Sequence, residues 1–261
     1  MAYQFALYEK KGRIAHVTIN RPESMNALHP PANEELSEIW DDFQADDDLW
    51  VAILTGTGER AFCAGADLKF MASSGQSGAQ TRENRGGFAG IDTRFDLWKP
   101  VIAAVNGYCL AGGFETALAC DIIIAAEHAQ FGMPEPRWGL DAGPTGYHRL
   151  VRQIPTKVAM EMLLTGKFIT ARRAQELGLV NDVVPLEELI PAAERCANEI
   201  LECAPLSIRG TKQAAYSGLD HPLEIAARLG FEERIKSAAS EDRIEGPRAF
   251  AAKRLPVWKG R

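Results

Sequence analysis

The pattern of apolar and polar residues predicts a chain that begins with alternating strands and helices. Residues 12–19 alternate between polar and apolar side chains, which is typical of a half-buried strand. The runs at 51–55, 101–105 and 121–126 are apolar almost throughout, which predicts strands buried on both faces. Such strands, separated by crossover helices, are typical of parallel sheets covered by helices. The pattern therefore predicts the α/β class.

Helical periodicity dominates the remainder of the chain. A helix is predicted at 30–46, where two prolines suit the first turn and one face is apolar. A shorter helix is predicted at about 112–119. After about residue 147 the pattern predicts helices at 147–153, 156–164, 170–177, 186–202, 205–218 and 222–239.

Two features divide the chain further. Residues 72–90 are rich in Ser, Gly and Gln, so they are predicted to be the most mobile segment. No strong linker separates the helical part from the rest, so only a soft boundary is placed near residue 195. The predicted organisation is thus a main domain at 1–195 and a helical region at 196–261.

Charge and composition exclude several classes of protein. The 261 residues carry a formal net charge of −6 and are 46% hydrophobic. This balance gives no basic footprint for nucleic acid, so we expect no nucleic-acid partner. An acidic surface also attracts anions poorly, so a phosphate-bearing ligand would have to be met by local donors.

Cysteine and histidine usage argues against a metal site. The five cysteines form no CxxC pair, and the five histidines form no HxxxH or HExxH motif. Free thiols in a reducing compartment are expected. The first residues lack a basic and apolar leader, and no apolar run reaches the ~18 residues of a membrane span. We therefore expect a cytoplasmic protein with no metal and no membrane anchor.

Two glutamates are the strongest candidates for chemistry. Glu115 follows a glycine-rich stretch at 107–113, and Glu135 lies between two prolines. Pro136 disfavours helical geometry at Glu135, so that carboxylate is predicted on an extended or turn segment. Two carboxylates on rigid segments suit paired acid and base catalysis. The alternative is that each is an ordinary surface glutamate.

Gly112 and Gly113 are predicted to open the helix that carries Glu115. The first N–H groups of a helix have no partner within it and lie at the positive end of its dipole. Gly112 could therefore donate to a developing negative charge, with Glu115 on the same helix face. The alternative is that the glycines only allow tight strand–helix packing.

A second glycine-rich loop, at 61–69, follows the buried strand at 51–55. Small residues around Gly65 would leave backbone N–H groups open to a ligand and could supply a second oxyanion donor. Just upstream, residues 56–61 fit the dinucleotide-binding pattern GxGxx[GA]. That motif must open a long helix, and here another small-residue loop follows instead.

Taken together, these motifs resemble the crotonase family of enoyl-CoA hydratases and isomerases. The resemblance rests on four segments spread along the chain. They are Asn20-Arg21-Pro22 with Asn26-Ala27-Leu28, then Ala61 to Leu68, then Lys99 to Glu115 with Asp121, and Phe131 to Glu135. It implies an α/β spiral of ββα units, and a helical C-terminal region that forms a homotrimer or a dimer of trimers.

The resemblance also implies a site for an acyl-CoA thioester. Coenzyme A would be part of the substrate, with no separate cofactor. Glu115 and Glu135 would be catalytic, and the N–H groups of Ala66 and Gly112 would form the oxyanion hole. The implied substrate-binding residues are Met25, Ala27, Ala64, Ala66, Asp67, Leu68, Lys69, Tyr108, Gly112, Pro134, Trp138 and Asp141.

Because both glutamates are present, the resemblance favours an enoyl-CoA hydratase. Four alternatives stay open: an enoyl-CoA isomerase, a dehydratase of the carnitinyl-CoA type, a hydrolase of thioesters or C–C bonds, and a CoA-binding family member without this activity. The C-terminal stretch at 241–261 looks similar to that of carnitinyl-CoA dehydratases. The loop after Glu135 departs from the family's usual Pro-Gly-x-Gly-Gly. Trp138 and Asp141 on this loop favour a short or polar acyl group, unless Trp138 packs in the core and Asp141 faces solvent.

Overall fold

Ten strands form two sheets in a computed structural model that describes residues 3–74 and 85–261. Numbered in chain order, they are Ala6–Lys11 (β1), Ile14–Ile19 (β2), Val51–Gly56 (β3), Ala61–Cys63 (β4), Val101–Val105 (β5), Tyr108–Leu110 (β6), Ile122–Ala126 (β7), Gln130–Gly132 (β8), Phe168–Thr170 (β9) and Asp182–Val184 (β10). The larger sheet has the order β1-β2-β3-β5-β7-β10, and the smaller has the order β4-β6-β8-β9.

The connections between the two sheets repeat along the chain. Strands β3, β5 and β7 lie side by side in the larger sheet, and each is followed by the next strand of the smaller sheet. In both sheets the central pairings are parallel, whereas β1 and β9 join as antiparallel edge strands. Each turn of the chain thus adds one strand to both sheets. The predicted α/β spiral of ββα units is confirmed.

Helices fill the connections and form the C-terminal part. They are Pro30–Ala45 (α1), Leu68–Ser74 (α2), Gly112–Ala119 (α3), Pro144–Gln153 (α4), Thr156–Thr165 (α5), Ala171–Glu176 (α6), Leu189–Leu201 (α7), Pro205–Gly218 (α8), Leu223–Ala226 (α9), Glu232–Ala239 (α10) and Asp242–Ala251 (α11). The helix predicted at 222–239 is two helices, α9 and α10. The sequence pattern did not predict α11, which contains Pro247.

Both faces of the larger sheet are buried, as its apolar strands predicted. Val51 and Ile53 of β3 face α7 and belong to one apolar cluster. Their neighbours Ala52 and Leu54 point to the opposite face and join the main core with α1. Because side chains alternate along a strand, a run that is apolar at every position is what a sheet covered on both sides requires.

Helix α7 runs unbroken through residue 195, where the sequence suggested a soft boundary between 1–195 and 196–261. Its residues Ala193 and Ala197, on either side of that point, are both fully buried against the larger sheet. The first interruption of the helical chain comes after Leu201. Within the described residues, no helix is long and apolar enough to cross a membrane.

The segment predicted to be mobile, 72–90, lies partly outside the described residues, at 75–84. The following part, residues 85–90, packs against α1 and does not form an exposed loop. The Ala89 N–H donates to Asn33 at 2.7 Å, and the Trp40 indole donates to the Ala89 carbonyl at 2.9 Å. The fully buried Arg94 side chain donates to the Gly90 carbonyl at 2.9 Å. The end of this segment is therefore packed within the fold, and its mobility stays a prediction.

Candidate active site

Three neighbouring strands of the smaller sheet bring the predicted site residues together. Strands β4, β6 and β8 are parallel, so the chain leaves all three at the same edge of the sheet. Ala66 follows β4, Gly112 and Glu115 follow β6, and Glu135 follows β8. The Ala111 N–H donates to the Gly132 carbonyl at 2.9 Å, and this bond links the ends of β6 and β8. The carboxyl ends of parallel strands are a common place for ligand sites.

Glu115 lies in the first turn of α3 and is 5% exposed. Its carboxylate accepts a hydrogen bond from the Gly143 N–H at 2.6 Å and lies 3.4 Å from the Thr145 hydroxyl. Both donors belong to the start of α4, whose dipole favours negative charge there. Burial raises the pKa of Glu115, whereas the bond from Gly143 acts to lower it. Glu115 is therefore a buried carboxyl group held by the N-terminus of another helix.

Two glycines leave room for this carboxyl group. A Cβ added to Gly143 would lie 2.4 Å from Glu115 Oε2, and one added to Gly146 would lie 2.7 Å from Glu115 Cγ. Either contact is closer than real Cβ atoms approach other atoms. The loop that departs from the usual family pattern therefore keeps glycine at the positions that touch Glu115.

Glu135 is the first residue of a single 3₁₀ turn, Glu135–Trp138, and is 8% exposed. The predicted extended or turn segment is thus a 3₁₀ turn. Burial, together with a smaller effect of the nearby Glu115 charge, raises the pKa of Glu135 to about 7. Among the described residues, Glu135 Oε2 is buried without a hydrogen-bond partner. This oxygen is therefore free to bind a substrate atom or water.

Ala66 has a backbone N–H that the local pairing leaves unused. The Leu28 N–H donates to the Gly65 carbonyl and the Leu28 carbonyl accepts from the Asp67 N–H, each at 2.8 Å. In such a parallel bridge the residue between, Ala66, directs its own N–H to the opposite side. Gly65 adopts φ +96°, which only glycine tolerates readily, and this turn exposes the Ala66 N–H.

Gly112 lies next to this loop. A Cβ added to Gly65 would lie 3.3 Å from the Gly112 nitrogen, so the two candidate donor segments are in direct contact. As the first residue of α3, Gly112 has no intrahelical partner for its N–H. Ala111 before it adopts φ 52° and ψ −130°, a strained conformation for alanine. Strain of this kind is found where a site fixes the direction of the chain.

Residues 25–28 form the other side of the β4 exit. The Met25 carbonyl accepts from the Ala64 N–H at 3.1 Å, and Ala27 is buried beside it. The Arg21 guanidinium donates to the Ala27 carbonyl and holds the loop at residues 25–28 in place. Met25, Ala27 and Ala64, predicted to bind the substrate, therefore lie next to one another.

Two buried asparagines, Asn26 and Asn106, hold this region and were not predicted as site residues. The Asn26 side chain donates to the Ala61 carbonyl at 2.7 Å, and the Asn106 side chain donates to the same carbonyl at 3.1 Å. Asn106 also bonds to both backbone groups of Gly56. An asparagine that directly follows an apolar strand is the signal that could have revealed Asn106. The segment predicted as a possible dinucleotide loop is therefore bonded to Asn106 and continues into β4, without a long helix.

The remaining predicted residues of the first loop have different roles. The Asp67 carboxylate accepts from the Phe70 N–H at 3.1 Å and pairs with Arg21 at 3.0 Å. It thereby caps α2 and fixes the loop, so its side chain is occupied by the protein. Leu68 is 42% exposed and Lys69 is also exposed, so both can contact a ligand at the surface.

The loop after Glu135 presents its side chains to solvent. Trp138 is 69% exposed, so the alternative that it packs in the core is wrong. In a 3₁₀ helix the side chains at i and i+3 eclipse, which places Trp138 on the same side of the turn as Glu135. Asp141 is exposed, as the alternative for that residue expected, and Pro134 is half-buried.

Tyr108 occupies a different position from the other predicted substrate-binding residues. It begins β6, at the far end of that short strand from Gly112. Its ring is 37% exposed and makes an edge contact with Phe168, with the ring centres 6.4 Å apart. Within the described part of the chain, no cluster of three or more His, Cys, Asp or Glu side chains could hold a metal ion.

Two buried carboxyl groups beside two backbone N–H donors are the groups that proton transfer next to a carbonyl requires. The profile of one protein family, described as enoyl-CoA hydratase/isomerase, matches residues 9–261. The chain belongs to this family, the crotonases.

Individual relatives agree with this assignment. The chain is 43% identical over 252 residues to an (E)-benzylidenesuccinyl-CoA hydratase of Thauera aromatica, covering 97% of this chain and 98% of that one. It is 41% identical over 258 residues to a carnitinyl-CoA dehydratase of Citrobacter koseri, covering 97% and 98%. The crystal structure of an enoyl-CoA hydratase from Mycobacterium marinum superposes with a TM-score of 0.91 at 38% identity, covering 98% and 99%.

Proposed function

We propose that this protein is an enoyl-CoA hydratase that adds water reversibly to the double bond of a 2-enoyl-CoA thioester. The observation that carries the proposal is the pair of buried carboxyl groups, Glu115 and Glu135, delivered by adjacent strands beside the Ala66 and Gly112 donors. Relatives named as a hydratase and as a dehydratase support chemistry in which water is added or removed.

The environments of the two carboxyl groups suggest a division of roles. Glu115 accepts hydrogen bonds, which favour its ionised form, so it acts as the base on water. Glu135 has a pKa raised to about 7 and an unpartnered oxygen, so it holds the proton that is delivered to the substrate. The hydrogen bonds to Glu115 and the unpartnered oxygen of Glu135 give the two carboxyl groups different environments, as is typical of acid–base pairs.

The proposed reaction proceeds without a cofactor. Glu115 takes one proton from water, and the hydroxide adds to the β-carbon. The electron pair of the double bond moves toward the thioester, whose oxygen is stabilised by the N–H groups of Ala66 and Gly112. Glu135 then gives its proton to the α-carbon. It stays a prediction that both carboxyl groups bind the same water molecule.

The proposed substrate lies along residues 64–69, with Met25 and Ala27 on the coenzyme A side. The acyl group would extend toward Trp138, whose exposed indole lies on the Glu135 side of its turn. The relatives are named for benzylidenesuccinyl-CoA and carnitinyl-CoA. These names and the indole favour a short or polar acyl group over a long saturated tail.

A dehydratase of the carnitinyl-CoA type is the second candidate, because relatives with that name are 41% identical to the chain. It would use the same residues in the reverse direction. An isomerase would need only Glu135, so the hydrogen bonds that hold Glu115 favour a reaction that uses both groups. For a hydrolase that recruits Asp141, the exposed position of that side chain offers little support.

We propose that the protein works as a homotrimer or a dimer of trimers, in the cytoplasm. Several large apolar side chains of the C-terminal region are exposed in the single chain. They include Leu219, Leu223, Ile235, Phe250 and Leu255, each more than 60% exposed. Exposed apolar surface of this extent marks a protein interface. Light scattering at micromolar concentration tests this, and a monomeric mass would reject it.

The test of function is an assay of the purified protein with crotonyl-CoA. Hydration predicts a loss of the absorbance band of the enoyl thioester, with no release of free thiol. Thiol release would indicate a hydrolase. Formation of 3-butenoyl-CoA with no hydroxyacyl product would indicate an isomerase and contradict the proposal.

A further inference from the structure

A third buried carboxyl group, Asp92, is connected to Glu115 by a hydroxyl group. Thr145 Oγ lies 3.0 Å from Asp92 Oδ2 and 3.4 Å from Glu115 Oε2. All three side chains are buried. The proposed reaction needs Glu115 and Glu135 but assigns no role to this neighbouring carboxyl group.

The hydroxyl group has only one hydrogen for two carboxyl groups. If both were ionised, Thr145 could donate to one of them, and its contact with the other would join two acceptors. If Asp92 carries a proton, that proton bonds to Thr145 Oγ and the hydroxyl hydrogen is left for Glu115. Every contact is then a hydrogen bond, and Glu115 stays ionised.

The surroundings of Asp92 favour its protonated form. Asp92 is 6% exposed, and among the described residues its Oδ1 has no hydrogen-bond partner. This oxygen abuts the backbone, because a Cβ added to Gly87 would lie 2.0 Å from it. Gly87 has φ 68°, so glycine suits the position for both reasons. The backbone N–H groups of Phe88 and Thr93 also act on this carboxyl group, but burial outweighs them and its pKa stays raised. A buried carboxylate with one oxygen unpartnered is costly unless it takes up a proton.

Burial is the largest influence on both carboxyl groups and raises the pKa of Asp92 and of Glu115. Arg149 of α4 is the nearby cation, and its charge acts to lower both pKa values without reversing the effect of burial. Its guanidinium donates to the Asp92 backbone carbonyl and not to the carboxyl group. Glu135 is the other titratable group facing Glu115.

We propose that Asp92 and Thr145 are positioning residues for Glu115. Asp92 is protonated, and its proton completes a chain of hydrogen bonds through the three side chains. Asp92 donates to Thr145, and Thr145 donates to Glu115, whose remaining lone pairs are then directed at the water. This inference rests on the proposed function, since it assumes that ionised Glu115 is the base.

The pH dependence of kcat/KM for 2-enoyl-CoA hydration tests the proposal. A base must be ionised, so the acidic limb of the profile reports Glu115. In Thr145→Val, Glu115 loses a hydrogen-bond donor, so the acidic limb is expected to move to a pH about one unit higher. At pH values below the limb, kcat/KM should fall roughly tenfold. Thr145→Ser should restore the wild-type limb. Thr93→Val, at an exposed neighbour of Asp92, is the matched control and should leave it in place.

Asp92→Asn separates the proposal from its alternative. An amide resembles a neutral carboxyl group, so the limb should stay at the wild-type pH. If Asp92 were ionised in the working enzyme, its removal would abolish a like charge and lower the limb by about one unit or more. That shift would overturn the proposal. So would a Thr145→Val profile with reduced activity and an unmoved limb, which would indicate a merely structural threonine.

Infrared spectroscopy gives a readout that needs no activity. In a Glu135→Gln background at pH 7, a protonated carboxyl band is expected, and it should vanish when Asp92→Asn is added. A band that is absent, or that persists in the double variant, contradicts the shared proton. Failure of the proposed function is distinguishable, because a wild-type protein without hydratase activity could still show this band.

Discussion

Replacing Glu135 by glutamine should stabilise the folded protein at alkaline pH while it inactivates the enzyme. Burial raises the pKa of Glu135 from an ordinary 4.5 to about 7. The folded state therefore prefers the protonated form, and stability is lost as the pH rises from the unfolded value through the folded one. Glutamine has nearly the same shape but cannot ionise, so the variant escapes this loss.

The size of the effect follows from the two pKa values. A shift of about 2.5 units corresponds to about 3.4 kcal/mol between strongly acidic and strongly alkaline pH. Between pH 5 and pH 8.5 the linkage relation gives about 2.5 kcal/mol, because part of the difference is already present at pH 5. The free energy of unfolding of Glu135→Gln, relative to that of the wild type, should therefore rise by this amount between pH 5 and pH 8.5.

Urea denaturation of both proteins at pH 5 and pH 8.5, at one protein concentration, measures the gain. Glu34→Gln is the matched control, because Glu34 is an exposed carboxylate of α1, and it should show no comparable gain. If the stability difference between Glu135→Gln and wild type is the same at both pH values, Glu135 is not a desolvated acid. The assignment of Glu135 as the proton donor would then lose its physical basis.

Other predictions concern packing, capping and specificity. Gly113→Ala should destabilise the fold by about 1–3 kcal/mol or prevent folding, because its Cβ would lie 2.1 Å from the Cys63 carbonyl oxygen. Gly218→Ala is the control and should be neutral or stabilising; thermal unfolding measures both variants. Asp67→Ala should cost about 1–2 kcal/mol in chemical denaturation through the lost cap of α2, and Asp67→Asn should recover most of it. In a series of 2-enoyl-CoA substrates from four to twelve carbons, kcat/KM should fall with length, and Trp138→Ala should flatten that fall; a steady rise with length in the wild type would contradict the short-acyl proposal.

The central strands were predictable from the sequence because their physics is local. The apolar runs of β3, β5 and β7 could only be strands buried on both faces, and the structure confirms this. The short strand β4 was placed in a glycine-rich loop, and β6 and β8 were not predicted, because three residues carry too little periodicity. Yet the candidate site residues follow these three strands. The sequence motifs therefore revealed the residues, whereas the hydrophobic pattern missed the strands that bring them together.

The residues that support the site could not be predicted. Asp92 lies in sequence far from Glu115, and only the docking of residues 85–97 on α1 brings it close. That docking depends on buried Arg94, which pairs with the Asp41 carboxylate of α1 and donates to the Gly90 and Ser37 backbone carbonyls, and no sequence motif predicts this set of partners. The exposure of Trp138 likewise depends on the direction in which the turn after β8 leaves the sheet.

The most direct test of the two-carboxylate mechanism is the turnover of a 2-enoyl-CoA substrate by Glu115→Gln, Glu135→Gln and the double variant. Each single change should lower kcat by about 10²–10⁴, the usual effect of removing a positioned acid or base. The double variant should be scarcely slower than the worse single one, because groups that act on one water as a unit are not additive. Single variants that turn over at the wild-type rate would contradict the mechanism.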